Sequence, residues 1–464
     1  MPHISRASLR DSLHALGDLS AQSLIARHGT VALVDIVRGS SLNAPVEELR
    51  GRSILIATRD QLATALALFE LDGIARRMIL CPYDLDRKHL PFVMESAEVD
   101  AVISDGSAGV PDHPAVRHRL SCSPRIVYGR VPGSSHQTEW ILLTSGTTGL
   151  PKLVAHALDS LTGAVRCAAE SDETVVWGTF YDIRRYGGLQ IFLRAVLSGA
   201  SLVLSDERES TSEFLMRAST NGVTHISGTP SHWRRALMSP AASVLNPRYV
   251  RLSGEIADQG ILDNLLLSYP QARVSHAFAS TEAGVAFDVD DGQAGFPASF
   301  IAKSSGVDMK VEDGSLRIRS SRVASRYLGP NSRPLRDEDG FVDSGDMVAL
   351  DGDRYYFAGR RDGVINVGGL KVHPEEVDAL VNHHPGVRMS LVHARKNPVT
   401  GALIVAEVVL REASASEGND IAELKNEILL YCRKALPAHK VPAIVNFVPT
   451  LGVADTGKLM RFHA

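Results

Sequence analysis

A chain of 464 residues is too long for one ordinary hydrophobic core, so two or three domains are expected. With 22% charged and 44% hydrophobic residues and a net charge of −4, it has the composition of a soluble globular protein and gives no electrostatic case for nucleic acid or a membrane surface. No apolar run approaches the ~18 residues of a membrane span, and the first residues lead into no signal-peptide core. Cys81, Cys122, Cys167 and Cys432 have neither metal-ligand nor disulfide spacing, so reduced packing thiols and a cytoplasmic location are expected.

The first part of the chain alternates strand and helix. Ser53 to Ala57 reads as a buried strand. Asp60 then caps a helical run with Leu62, Ala65, Leu66 and Phe69 at the i, i+3, i+4, i+7 spacing of an amphipathic helix. Arg77 to Cys81 is a second strand, Phe92 to Ala97 a helix and Ala101 to Ser104 a third strand, which implies parallel pairing in an α/β sheet. The rhythm resumes with strands at Ala200 to Leu204, Val223 to Ser227, Tyr249 to Leu252 and Arg273 to Ser275. Gly340 to Asp346 and Arg354 to Arg360 read as short antiparallel strands. The character then changes at Asp362, where a domain boundary is expected between 1–361 and 362–464. The second part has a helix at Glu375 to Val381, a strand at Leu403 to Leu410 and a helix at Ile421 to Leu436, with 412–418 an exposed loop.

Between the two strand–helix runs of the first part lies Leu143-Thr144-Ser145-Gly146-Thr147-Thr148-Gly149-Leu150-Pro151-Lys152. Seven of its ten residues are Gly, Ser, Thr or Lys, and it follows the apolar run Trp140 to Leu143. Small residues let a backbone approach a polyanion, clustered N–H and hydroxyl groups donate to phosphate oxygens, and Lys152 adds positive charge. It is not a Walker loop, because the Gly-Lys pair followed by Ser or Thr is missing.

The segment resembles the phosphate-binding signature of the adenylate-forming superfamily, which includes acyl-CoA synthetases, aryl-acid ligases, luciferases and peptide-synthetase adenylation domains. The resemblance runs along nearly the whole chain in the family's motif order. His276-Ala277-Phe278-Ala279-Ser280-Thr281-Glu282 is similar to the aromatic-Gly-x-Thr-Glu motif, with Phe278 for the usual Tyr and Ala279 for the usual Gly. Ser253-Gly254-Glu255 resembles the turn lining the adenine pocket. Asp343-Ser344-Gly345-Asp346 resembles the ribose-binding Thr-Gly-Asp, where one carboxylate suits a vicinal diol. Gly359-Arg360-Arg361-Asp362 resembles the hinge, Gly368-Gly369 the turn lining the pantetheine tunnel, and Thr456-Gly457-Lys458 the terminal lysine loop. Leu153 and Asn366 stand where many relatives carry Gly and Lys, and the region before the phosphate loop is shorter than in typical relatives.

The resemblance implies a large N-terminal α/β domain with mixed sheets and a small mobile α+β C-terminal domain. It implies a ligase that activates a carboxylic acid with ATP and magnesium and passes the acyl group to the thiol of CoA. Thr281, Glu282 and Lys458 are the implied catalytic residues, with Glu282 also the magnesium ligand. Thr144, Ser145, Gly146, Thr147, Thr148, Gly149, Lys152, Ser253, Gly254, Glu255, His276, Phe278, Asp346, Arg360 and Gly369 are implied around the nucleotide and CoA, and Asp362 is the implied pivot. The acid pocket is implied at Tyr181, Arg185, Tyr186, Gly228 and Ala279. Tyr186, preceded by Arg184 and Arg185, falls where amino-acid-activating relatives carry an Asp, and a cationic neighbourhood does not suit an α-ammonium group. An aryl or medium acyl acid is therefore expected. The alternatives left open are loading of a carrier protein's phosphopantetheine, a P-loop-type ATPase and a non-catalytic nucleotide-binding remnant. The oligomeric state is also open.

Overall fold

The computed structural model describes residues 8–106, 109–129, 133–134, 136–144, 149–165, 174–302, 306–329, 332–397, 400–411, 421–452 and 459. Two eight-stranded sheets form the large domain. In the first, Val176–Thr179, Ser201–Leu204, His225–Gly228, Tyr249–Ser253 and Arg273–Ser280 run parallel, and Gly284–Val289 closes one edge antiparallel. In the second, Ser53–Ala57 pairs parallel with Arg77–Leu80 and Ala101–Ser104, and Arg77–Leu80 pairs parallel with Glu139–Thr144. Lys152–His156 returns antiparallel beside Glu139–Thr144 and carries Arg326–Leu328 on its outer edge. A five-stranded antiparallel sheet includes Val342–Asp351 and Arg354–Arg360. The small terminal domain has a two-stranded hairpin, Ile365–Val367 with Leu370–Val372, and a sheet of Val387–Asn397, Gly401–Leu410 and Ile444–Phe447. The fold is therefore the mixed α/β arrangement the sequence implies.

The helix at Gln61–Leu71 departs from expectation. Asp60 caps it as anticipated, accepting from the Leu62 N–H at 2.8 Å, but all its residues are buried, not one face only. Its polar residues are satisfied internally. Thr64 shares a hydrogen bond with Thr58, Glu70 accepts from the Ser41 backbone at 2.6 Å, and Gln61 spans from the Ser205 carbonyl to the Ile183 N–H. A helix enclosed on every side keeps polar residues only where each finds a partner. Gln61 thereby ties the second sheet's helix to the first sheet, next to Tyr181.

Cys81, Cys122 and Cys432 are buried and unpaired with one another, as expected, and burial pushes the thiols of Cys81 and Cys122 up to about 12. Cys167 and the 412–418 loop lie outside the described residues. Among the described residues no helix is long and apolar enough to cross a membrane.

Candidate active site

The strand Glu139–Thr144 delivers the Gly/Ser/Thr segment, and Lys152–His156 takes the chain back. Thr144 and Lys152 are register partners, so they stand side by side at the base of the loop. Ser145, Gly146, Thr147 and Thr148 lie outside the described residues. Gly149 has φ +82°, a left-handed backbone that glycine adopts without a Cβ penalty. The Thr144 hydroxyl oxygen is enclosed and has no hydrogen-bond partner among the described residues, so an acceptor or donor is wanted there.

Two side chains that the sequence reading passed over tie this loop to the Thr281–Glu282 turn. His156, at the end of the return strand, points Nε2 at the Thr281 carbonyl, 2.7 Å away. A carbonyl only accepts, so Nε2 carries the hydrogen and Nδ1 is left as an acceptor facing Ser160 Oγ at 3.0 Å. Burial pushes this imidazole down to about 4 and keeps it neutral. Tyr327, paired with Val154 on the same return strand, donates its hydroxyl to Glu282 Oε1 at 3.3 Å. The Lys152 ammonium lies 5.8 Å from the centre of the Tyr327 ring. Burial and the Glu282 carboxylate raise the Tyr327 phenol above its ordinary range, and Arg360 acts on it in the opposite sense. Lys152, Tyr327, Glu282 and Arg360 thus converge.

Arg360 stands opposite Asp346 in the antiparallel register, with Nη1 3.6 Å from Oδ2. Gly345, with φ +71°, lets the chain turn into Asp346. Phe278 belongs to an aromatic stack, 5.1 Å from Phe357 at 12° and 5.7 Å from Phe287 at 21°. A β-bulge falls between Phe278 and Ala279 and re-aims the end of the strand. His276 lies two residues before Phe278 on the same strand. It is buried, and its Nε2 is spent on the Gln293 carbonyl at 2.9 Å, which makes it a tie within the wall.

The Ser253-Gly254-Glu255 turn, with Gly254 at φ +87°, joins three elements. The Ser253 carbonyl accepts from the Tyr181 hydroxyl at 2.7 Å. Glu255 accepts from the Ser231 N–H at 2.9 Å, the Ser231 hydroxyl at 3.0 Å and the backbone N–H of Leu459 at 3.1 Å. Lys458 itself lies outside the described residues. Gly368 and Gly369, both with positive φ, form the exposed two-residue turn of the hairpin, and Asp362 is exposed in a 3-10 turn between Arg360 and that hairpin.

Of the residues expected to line an acid pocket, Tyr181 and Tyr186 are buried, and burial raises both phenols above their ordinary range. Gly228 is held to glycine by its neighbours, since a Cβ would come within 2.8 Å of the Phe180 ring. The expected cationic neighbourhood is corrected by the structure. Arg184 is fully buried and donates to Asp182 at 2.7 Å and to the Thr58 and Arg59 carbonyls. Arg185 pairs with Asp84 at 2.6 Å. Each positive charge is neutralised by a carboxylate, so neither projects a free field, and the charge argument against an α-ammonium group loses its basis. The signal was available in Asp182, two residues before Arg184; Asp84, about a hundred residues away in sequence, gave none.

Residues 63–328 match the family described as AMP-binding enzyme, and residues 376–458 match its C-terminal domain. A 2-succinylbenzoate–CoA ligase of Staphylococcus aureus is 25% identical over 334 residues, which are 69% of this chain and 65% of that protein. The chain thus matches about two thirds of that relative's length. Among solved structures, the anthranilate CoA ligase AuaEII in complex with anthranoyl-AMP superposes with a TM-score of 0.77 at 18% identity, over 97% of this chain and 95% of that one. The o-succinylbenzoate CoA synthetase of Bacillus subtilis, bound to its acyl-adenylate, gives 0.70 at 19% identity, over 97% and 96%. With family matches over residues 63–328 and 376–458, the chain belongs to the AMP-binding enzymes of the adenylate-forming superfamily.

Proposed function

We propose that this protein is an AMP-forming acid–thiol ligase that activates an aryl or medium acyl carboxylic acid with ATP and transfers it to CoA. The observation that carries the reading is the convergence on Tyr327. Lys152 from the phosphate-loop exit, Glu282 from the second motif and Arg360, partner of Asp346, all act on one phenol. The relatives that act on succinylbenzoate and anthranilate support the aryl class.

In the first step a carboxylate oxygen attacks the α-phosphorus, the bond to the bridging oxygen breaks, and pyrophosphate leaves. Both reactants are anions. Opposite unit charges ~4 Å apart attract by about 4 kcal/mol at an effective dielectric of ~20, so Lys152, Lys458 and the loop N–H groups would offset much of the repulsion. The Thr144 hydroxyl, without a partner among the described residues, could be offered to a phosphate oxygen. Asp346 would accept from the ribose hydroxyls, beside Arg360. Glu282, a carboxylate that accepts from the Tyr327 hydroxyl, would hold magnesium together with nucleotide phosphates, and the ion would neutralise phosphate charge there. In the second step the thiol sulfur attacks the acyl carbon, the acyl–phosphate bond breaks, and AMP leaves.

The boundary is placed at 361/362, with Asp362 as pivot. Rotation there would exchange Lys458 for the Gly369 turn at the site. The Leu459 N–H on Glu255 supports reading this pose as the adenylating one. Hydroxamate trapping across aryl, fatty, dicarboxylic and amino acids, with pyrophosphate counted, tests the proposal. One pyrophosphate per hydroxamate is expected; release of orthophosphate instead refutes it.

A further inference from the structure

Residues along the strands of the terminal domain alternate between the two faces of its sheet. Val392, Ala406 and Val408 share one face and cluster with Val377 and Val381 of the helix Pro374–Asn382 and with Ile428 and Cys432 of the helix Ile421–Ala435. Met389, Leu391 and Val409 share the other, where Met389 and Val409 are register partners on adjoining strands. That second face is covered by chain that follows the strand Ile444–Phe447, since Val448, Leu451 and Leu459 complete its apolar cluster. Val448 is tied down by its N–H on the Val408 carbonyl at 2.9 Å. Leu459 thus belongs to the terminal domain by its side chain. By its backbone it belongs to the large domain, because its N–H donates to Glu255 Oε1 at 3.1 Å across 204 residues of sequence. The acceptor is itself held in place, by the Ser231 hydroxyl on the same oxygen at 3.0 Å and the Ser231 N–H on the other at 2.9 Å. Two further approaches join the domains, Glu375 beside Gly359 and the Asn382 carbonyl beside Gly260.

We propose that Leu459 is a positioning residue for the adenylating step: its side chain fastens the tail to the terminal domain, its N–H fastens the tail to Glu255, and together they set the place from which the preceding residue, Lys458, reaches the reactants. The inference rests on the proposed adenylating function and goes beyond it by assigning the seating to one residue that touches no reacting atom. The two attachments differ in kind. The apolar one lies wholly within the terminal domain and travels with it when that domain turns. The hydrogen bond spans the domains and belongs to this pose alone. Consecutive Cα atoms are ~3.8 Å apart, so an anchor one residue from the lysine leaves it little slack. Loss of either attachment therefore slows the first half-reaction and spares the second.

The test uses the full chain. Adenylation is read as pyrophosphate release and hydroxamate, thiol transfer as thioester formed from synthetic acyl-AMP and CoA, and the tail by hydrogen exchange of its terminal peptide without substrates. Leu459→Pro removes the N–H and keeps an apolar ring, Leu459→Ala keeps the N–H and shortens the side chain, and Leu459→Met keeps both. The Pro and Ala variants should each lower kcat for adenylation about tenfold or more, the worth of a hydrogen bond to a charged group, with KM for ATP and acid within about twofold. Both should leave thioester formation unchanged and speed exchange of the tail, and Leu459→Met should match wild type throughout. Full adenylation by Leu459→Pro, equal losses in the two half-reactions, or failure of Leu459→Met to restore the rate would overturn the proposal. Should Leu459→Pro fail to fold, the split between half-reactions in Leu459→Ala decides. A slowly exchanging tail that Leu459→Ala releases, with no acyl-adenylate from any acid, would sink the ligase reading and leave the anchor standing. Acyl-adenylate formed by a wild type whose tail exchanges as fast as that of Leu459→Ala would do the reverse.

Discussion

Replacing His156 with leucine separates two elements that the structure joins by one imidazole. Leucine keeps much of the volume, so the loss is mainly the 2.7 Å bond to Thr281 and the stranding of its carbonyl. A buried acceptor left unsatisfied costs about 1–3 kcal/mol. The change also has a signature in pH. Burial lowers this imidazole from 6.5 to about 4, so the folded chain refuses a proton that the unfolded chain takes. The associated stability is fully present above pH 6.5 and is lost as the pH falls towards 4, about 3 kcal/mol in all at roughly 1.4 kcal/mol per pH unit. Denaturant titrations at pH 7, 6 and 5 should therefore give His156→Leu a flatter dependence than wild type, by up to about 1.4 kcal/mol per unit. The other buried imidazoles, His232 (held down to about 3), His276 and His384, are also lowered by burial, are present in both proteins and cancel in the comparison. Pyrophosphate release should fall about tenfold, since a loosened Thr281–Glu282 turn misplaces groups aimed at the phosphates. Parallel pH curves for the two proteins, or undiminished pyrophosphate release, would refute the reasoning.

Lys458→Ala should lower acyl-adenylate formation about 10²- to 10³-fold and spare thioester formation from synthetic acyl-AMP, as rapid-quench assays of the separate half-reactions would show. Glu282→Ala should weaken the magnesium dependence of pyrophosphate release while circular dichroism stays native; an unchanged magnesium titration would place the ion elsewhere. Asp362→Pro, which fixes φ near −65° (roughly ±15°), should preserve the adenylation burst and depress steady-state thioester formation, and equal effects on both steps would move the pivot. Tyr327→Phe should leave the fold intact and raise the KM for ATP severalfold, because Glu282 loses the hydroxyl that orients it.

The sequence displayed the parts of this protein that local rules control. Ser53–Ala57 and Ala101–Ser104 begin and end where their apolar runs do, and Asp60 caps its helix for the reason any short acceptor does. Thr144 and Lys152 stand at strand ends and Gly368 and Gly369 at a hairpin turn, each marked by its local composition. What stayed hidden depends on partners distant in sequence. The full enclosure of Gln61–Leu71 follows from two sheets closing over it, which a single helix cannot announce. The neutralisation of Arg185 needed Asp84, 101 residues away. The bond from His276 to the Gln293 carbonyl likewise joins residues 17 apart in sequence.

Glu255 has two oxygens and three donors, and the donors come from a helix of the large domain and from the residue after Lys458. One carboxylate therefore enters two balances at once: how firmly the Ser253-Gly254-Glu255 turn is held, and how often the terminal segment is seated. Thermodynamic reciprocity then applies. If a bound nucleotide favours the seated segment by some factor, seating must tighten the nucleotide by that same factor. Amidation of this one side chain, Glu255→Gln, would remove an acceptor and its charge, and should lower both quantities together: ATP affinity measured by calorimetry and protection of the terminal segment from protease. Departure of pyrophosphate and arrival of thiol need carry no separate signal to the terminal domain, because the loosening of one grip is felt as the loosening of the other.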